Sequence, residues 1–150
     1  MIRKFNKSKD IDLIIEGEVE AHTNSFPGTD VPLDLVTARV RSFRRPGTRC
    51  IVLDENGPKG YVVASRTMKK GRFEIYIESV YVVPELRGRG KVEILFNALL
   101  ELSTDNTITL DVSVTNESAV RAYQALGFET ARYRMRKDYP AGGNTEGNED

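Results

Sequence analysis

Residues 77–102, IESVYVVPELRGRGKVEILFNALLEL, decide the fold. Up to Val83 the stretch is β-branched and aromatic, and it reads as a strand. Beyond Pro84, Val92, Leu95, Phe96, Leu99 and Leu100 recur at helical spacing. Between them lies Arg87-Gly88-Arg89-Gly90-Lys91-Val92. A basic, glycine-rich turn that opens a helix gathers unpaired backbone N–H groups at the positive end of the helix dipole, and so makes a cradle for an anion such as a phosphate. Two familiar phosphate loops do not fit. The dinucleotide fingerprint needs a third glycine, and a Walker loop needs Gly-Lys-Ser/Thr.

Working outward, Ile2–Phe5 alternates as a short strand. A helix follows, capped by Ser8 or Asp10, with Ile11, Ile14, Ile15 and Val19 as its inner stripe and Glu16, Glu18 and Glu20 on a solvated face. The turn-rich residues 24–30 form a loop, and Leu33–Phe43 forms a second helix. Three strand segments come next, at 49–53, 60–66 and 72–83. Asp54-Glu55-Asn56-Gly57-Pro58 is the hairpin turn between the first two. After the helix that opens at the glycine turn, Ile108–Val114 alternates as a strand, Asn116–Leu126 reads as a helix ended by Gly127, and Phe128–Lys137 holds a last strand. The fold class is α/β (α+β), one mixed sheet with helices on both faces, in the order β-α-α-β-β-β-α-β-α-β.

The 150 residues suit one domain over 1–139, with a disordered acidic tail over 140–150. Lys plus Arg balances Asp plus Glu at 22 each, which gives no global field for nucleic acid or an anionic membrane. The cluster RVRSFRR at 39–45 is a solvated helix face on this reading; its alternative roles are meeting the 3′-phosphate of a coenzyme, an acidic substrate or a nucleic acid. One histidine, His22, and one cysteine, Cys50, supply no zinc set, so no metal is expected. No apolar run spans a membrane, and the opening MIRKFNKSKDID lacks a signal-peptide core. A cytoplasmic protein is expected, and a homodimer stays open.

The stretch VYVVPELRGRGKVEILFNALL resembles motif A of the GNAT superfamily of N-acetyltransferases, Arg/Gln-x-x-Gly-x-Gly/Ala after a strand and a proline. The pattern N-x-x-A-x-x-x-Y-x-x-x-G-F at Asn116, Ala119, Tyr123, Gly127 and Phe128 resembles the second family motif. Acetyltransferases of ribosomal-protein N-termini (RimI-like) look nearest. The resemblance implies acetyl-CoA as cosubstrate and an amine of a protein, a peptide or a small molecule as acceptor; a non-catalytic acyl-CoA sensor is the rival. It also implies that the pyrophosphate sits on Arg87, Gly88, Arg89, Gly90, Lys91 and Val92, and that the pantetheine pairs with Val80, Tyr81 and Val82 and meets Asn116. Tyr123 would protonate the departing thiolate. Asp111, at the position of that subfamily's basic glutamate, and Glu78 are the candidate bases. Strict alternation would set Glu78, Val80 and Val82 on one face of their strand. Val92 stands where the motif has Gly or Ala, and its side chain is expected to crowd the phosphate.

Overall fold

The computed structural model describes residues 1–141. Five strands form one sheet in the order β1 (Ile2–Lys4), β2 (Thr48–Asp54), β3 (Pro58–Lys69), β4 (Arg72–Val82) and β5 (Ile108–Thr109). All pairs are antiparallel except β4 with β5, which is parallel. The β2–β3 turn forms as its residues dictate. Asn56 and Gly57 take φ of 60° and 114°, and the Asp54 carboxylate accepts from the Gly57 N–H at 2.9 Å.

Alternation along β2 and β3 divides the core in two. Ile51, Leu53, Val62 and Ala64 face Leu95, Phe96 and Leu99 of helix α3 (Lys91–Glu101). Cys50, Val52, Tyr61 and Val63 face Leu13 and Ile14 of helix α1 (Lys7–Ser25). Helix α2 (Leu35–Ser42) adds Val36 and Val40 to that second side. The cap of α1 is Asn6 rather than Ser8 or Asp10; its side chain accepts from the Lys9 N–H. Asp10 is instead buried, accepting two bonds of 2.8 Å from Arg3 and one from the Asn6 N–H. The buried stripe of α1 runs through Asp10, Leu13, Ile14, Gly17 and Glu18, not through Ile11, Ile15 and Val19. At Gly17 a Cβ would collide with the Tyr61 hydroxyl, so glycine is what lets α1 reach the sheet.

Two expected strands differ. β5 is limited to Ile108–Thr109, and its ladder with β4 stops at Tyr76↔Thr109. Among the described residues, 128–139 form no strand. The β4–β5 pairing ends two residues ahead of Glu78, where β4 departs from regular geometry. The segment after Phe128 then has no ladder to extend, and its apolar members Tyr133 and Met135 are 84% and 92% exposed. The expected tail lies outside the described residues from 142 onward.

Candidate active site

Between Ile77 and Ser79 the β3–β4 register shifts: Ala64 pairs with Ile77 but Val63 pairs with Ser79, so Glu78 is an extra residue, a β-bulge. Its effect on the backbone can be followed bond by bond. Before the bulge, the Ile75 N–H donates to Thr107 at 2.9 Å, which turns Ile75 and Ile77 toward β5. After it, the Val83 N–H donates to Lys59 of β3 at 2.9 Å. Tyr81 and Ser79 therefore also turn to β3, and Val80 and Val82 turn their backbone groups to the open side of β4. Since β5 has already parted, that edge from Val80 to Val82 has no strand beside it. The Val82 carbonyl there accepts from the Arg87 Nε at 2.9 Å.

The same bulge corrects the expected alternation. Val80 and Val82 pack with the α3 side of the core, whereas Glu78 points to α2 and Ser79 to α1. Glu78 accepts from Arg39 at 3.2 Å and from Arg45 at 2.7 Å. It does not share a face with Val80 and Val82, because the extra residue puts two consecutive side chains on one side.

The open edge runs directly into the glycine turn. A 3-10 turn, Pro84–Leu86, carries the chain round, and Gly88 and Gly90 both take φ of 75°, with Gly90 the N-cap of α3. Nothing lies within 4 Å of a Cβ built at either, so these glycines are required by backbone conformation rather than by crowding. Two basic side chains of the turn are engaged by carboxylates of other elements. Arg87 bonds Glu20 of α1 at 2.6 Å, and burial is outweighed by that bond, so its pKa is raised. Lys91 bonds Glu55 of the β2–β3 turn at 2.7 Å. Val92 packs against the α3-side core, so the expected crowding of the turn does not arise. What the turn presents is backbone N–H groups and the end of a helix dipole.

Helix α4 (Glu117–Ala125) begins at Asn116, whose side chain accepts from the Ala119 N–H at 3.3 Å. Its Tyr123 ring packs edge-on to Phe128 at 5.6 Å, and Phe128 meets Phe96 of α3 at 5.9 Å. Burial pushes the Tyr123 hydroxyl pKa up. Asp111, just past β5, accepts from the Tyr76 hydroxyl at 2.9 Å. Tyr76 sits at the last position of β4 that pairs with β5, so this bond spans the point where the two strands separate. Burial first, and then the Asp111 bond, raise the Tyr76 pKa; the charge of Glu78 raises it further and that of Arg134 lowers it.

Sequence reasoning missed three members of this region: Tyr76, Arg39 and Glu18. Glu18 is 4% exposed and accepts from Tyr61, Ser79 and Arg39. It was expected on a solvated face, and so was Arg39. The signal that could have found it is spacing, since Asp10 and Glu18 fall on the i, i+3, i+4, i+7, i+8 stripe with Leu13, Ile14 and Gly17. Among the described residues, no cluster of His, Cys, Asp and Glu could hold a metal, and no helix is long and apolar enough to cross a membrane.

Residues 13–128 match the family model described as Acetyltransferase (GNAT) family. The chain belongs to that family. It is 30% identical over 77 residues to the N-alpha-acetyltransferase RimI of Mycobacterium tuberculosis, covering 51% of this chain and 49% of that protein. It is 31% identical over 146 residues to an uncharacterized N-acetyltransferase of Methanocaldococcus jannaschii, covering 93% and 81%. It also matches an uncharacterized Mycobacterium leprae protein, of which it spans 23%. The chain thus spans about half or less of two of these three curated relatives. Among solved structures, a possible acetyltransferase from Clostridium difficile shares the fold with a TM-score of 0.72 at 20% identity, over 93% of this chain and 97% of that one. The stretch that resembles motif A lies on the β4 edge and the glycine turn, and the one that resembles the second motif lies on α4.

Proposed function

We propose that this chain transfers the acetyl group of acetyl-CoA to a primary amine of a protein or peptide, by direct attack within a ternary complex. The observation that carries the reading is the continuity of two features. The β4 edge at Val80 and Val82, which no strand covers, leads within a few residues into a turn of backbone N–H groups at the start of α3. A ligand with an amide-bearing arm joined to a pyrophosphate suits that pair of features. Val80 and Val82 would bond the arm as an added strand does, and residues 88–92 would hold the pyrophosphate.

The chemistry asks little of the side chains. A neutral amine attacks the thioester carbonyl, a backbone N–H at the Val80 end of the open edge steadies the oxyanion, and the C–S bond breaks to release thiolate. Tyr123 gives the thiolate its proton and regains one from solvent. Asp111 takes the proton lost by the amine, through a water, with Tyr76 holding its carboxylate at 2.9 Å. Glu78 is less suited to this step, because its carboxylate is bound by Arg39 and Arg45 on the α2 side. Similarity to an enzyme named N-alpha-acetyltransferase supports an α-amine, whose pKa of about 8 leaves a useful neutral fraction without strong assistance.

The test is thiol release from acetyl-CoA over a panel of acceptors: peptides with free α-amines, the same peptides blocked at the N-terminus, and polyamines. Release that depends on a free α-amine is expected. Turnover with polyamines alone would move the acceptor class to small molecules. Binding of acetyl-CoA with no turnover on any amine would make the chain a sensor.

A further inference from the structure

Three donors from three elements converge on the buried Glu18 carboxylate of α1: the Tyr61 hydroxyl of β3 at 2.7 Å, the Ser79 hydroxyl of β4 at 2.6 Å and the Arg39 Nε of α2 at 2.9 Å. Arg39 continues to Glu78 at 3.2 Å, and Arg45 closes on the same Glu78 oxygen at 2.7 Å. Two carboxylates and two guanidiniums balance, so the cluster carries no net charge. A buried ionic cluster returns little net stability compared with apolar packing of similar volume, and its best use is to specify one arrangement among close alternatives.

The close alternative here is a one-residue slip in β4. Glu78 and Ser79 are consecutive, yet both side chains are held on the α1–α2 side. That is possible only with the bulge in place. A β4 without it would turn Ser79 into the apolar α3 side and bring Val80 under Glu18. The same slip would change the backbone groups on the open edge. The regular phase set by Ile75 and Ile77 would continue to Ser79 and Tyr81, whereas the bulged strand presents Val80 and Val82.

We propose that Glu18 is a positioning residue: through Ser79, and through Arg39 to Glu78, it locks the β4 bulge and so selects Val80 and Val82 as the backbone groups offered to the pantetheine arm. The pantetheine part rests on the acetyl-CoA reading above; the lock itself does not. None of the cluster's side chains need touch the cofactor. Its influence passes through the phase of the strand.

Ser79→Ala removes one arm of the lock, and Ser79→Thr keeps the hydroxyl. Calorimetry with acetyl-CoA and with adenosine 3′,5′-bisphosphate, which lacks the pantetheine, separates the lock from general weakening. Ser79→Ala is expected to bind acetyl-CoA roughly ten-fold more weakly, the effect of losing one or two net hydrogen bonds on the open edge, with nucleotide affinity unchanged and Ser79→Thr restored. Equal loss for both ligands, no loss for either, or failure of Ser79→Thr to restore binding overturns the proposal. Residue-resolved amide exchange on the ligand-free chain tests the lock alone. Wild type should exchange slowly at Ser79 and Tyr81 and fast at Val80 and Val82, and Ser79→Ala should blur that contrast. An unchanged contrast refutes the lock even if the wild type binds acetyl-CoA. Should the wild type bind neither ligand, the acetyl-CoA reading falls while the exchange pattern still decides the lock.

Discussion

Gly90 joins the turn to α3, and two substitutions there separate its backbone role from its ligand role. Its φ is 75° and nothing crowds a Cβ, so Gly90→Ala adds only the conformational cost of a left-handed residue. That cost is about 1–2 kcal/mol, or a Tm lower by roughly 2–8 °C in a chain of this size. Gly90→Glu carries the same backbone cost and also sets a carboxylate among N–H groups meant for an anion. A like charge about 5–6 Å from a pyrophosphate, in the intermediate dielectric of a protein surface and partly screened by salt, costs about 1–3 kcal/mol. That corresponds to roughly five- to 150-fold weaker binding. Differential scanning fluorimetry should give the two variants matching Tm losses. Titration calorimetry with acetyl-CoA should leave Gly90→Ala near wild type and weaken Gly90→Glu by at least that factor. Equal affinities for the two variants would mean that the turn does not hold the pyrophosphate.

Further expectations follow from other residues. Tyr123→Phe should lower turnover by roughly ten- to ten-thousand-fold with acetyl-CoA affinity kept, the range for loss of a general acid; unchanged turnover removes that role. Asp111→Asn should reduce turnover within the same broad range, whereas Glu78→Gln should lower Tm by loosening its bonds to Arg39 and Arg45 and spare the chemical step; the reverse pattern in steady-state kinetics would exchange the two assignments. Lys91→Met should change acetyl-CoA affinity by less than about three-fold, because Lys91 is already held by Glu55 at 2.7 Å, away from the ligand; a larger loss in calorimetry would show that Lys91 leaves Glu55 for phosphate. Burial pushes the Cys50 thiol up from 9.0 to about 12. Below pH 9 both folded and unfolded chains keep this proton. Between 9 and 12 only the unfolded chain loses it, so this contribution to stability falls as pH rises through that window. Chemical denaturation in that range should show a smaller decline for Cys50→Ala than for wild type, and an equal decline would refute the assignment.

Much of the fold was legible because its signals are local. The β2–β3 turn, the strand leading to Pro84 and the α3 stripe from Leu95 to Leu99 need only neighbouring residues to be read. The glycine turn was legible for the same reason, as φ near 75° at Gly88 and Gly90 is a demand that glycine meets cheaply. The bulge at Glu78 was not legible. A period-2 reading of 77–82 has no way to register an extra residue whose only trace is which partner each side chain finds. With the bulge hidden, Glu78 was set beside Val80 and Val82, and the strands after β5 were drawn as if β4 ran straight. Glu18 and Arg39 were hidden for a different reason. Charged residues usually face water, and these two do not because each satisfies the other across α1 and α2 while Tyr61 and Ser79 complete the carboxylate. Val92 departs from the motif's small residue, yet its half-buried side chain packs against the α3-side core.

The central claim is that the open β4 edge and the glycine turn together bind one acetyl-CoA molecule. A crystal structure of the chain with coenzyme A tests it most directly. The account predicts the pyrophosphate on the N–H groups of residues 88–92 and the pantetheine amides bonded to Val80 and Val82, with the sulfur near Tyr123. Coenzyme A bound elsewhere, or a pantetheine arm that leaves the Val80–Val82 edge untouched, would contradict it.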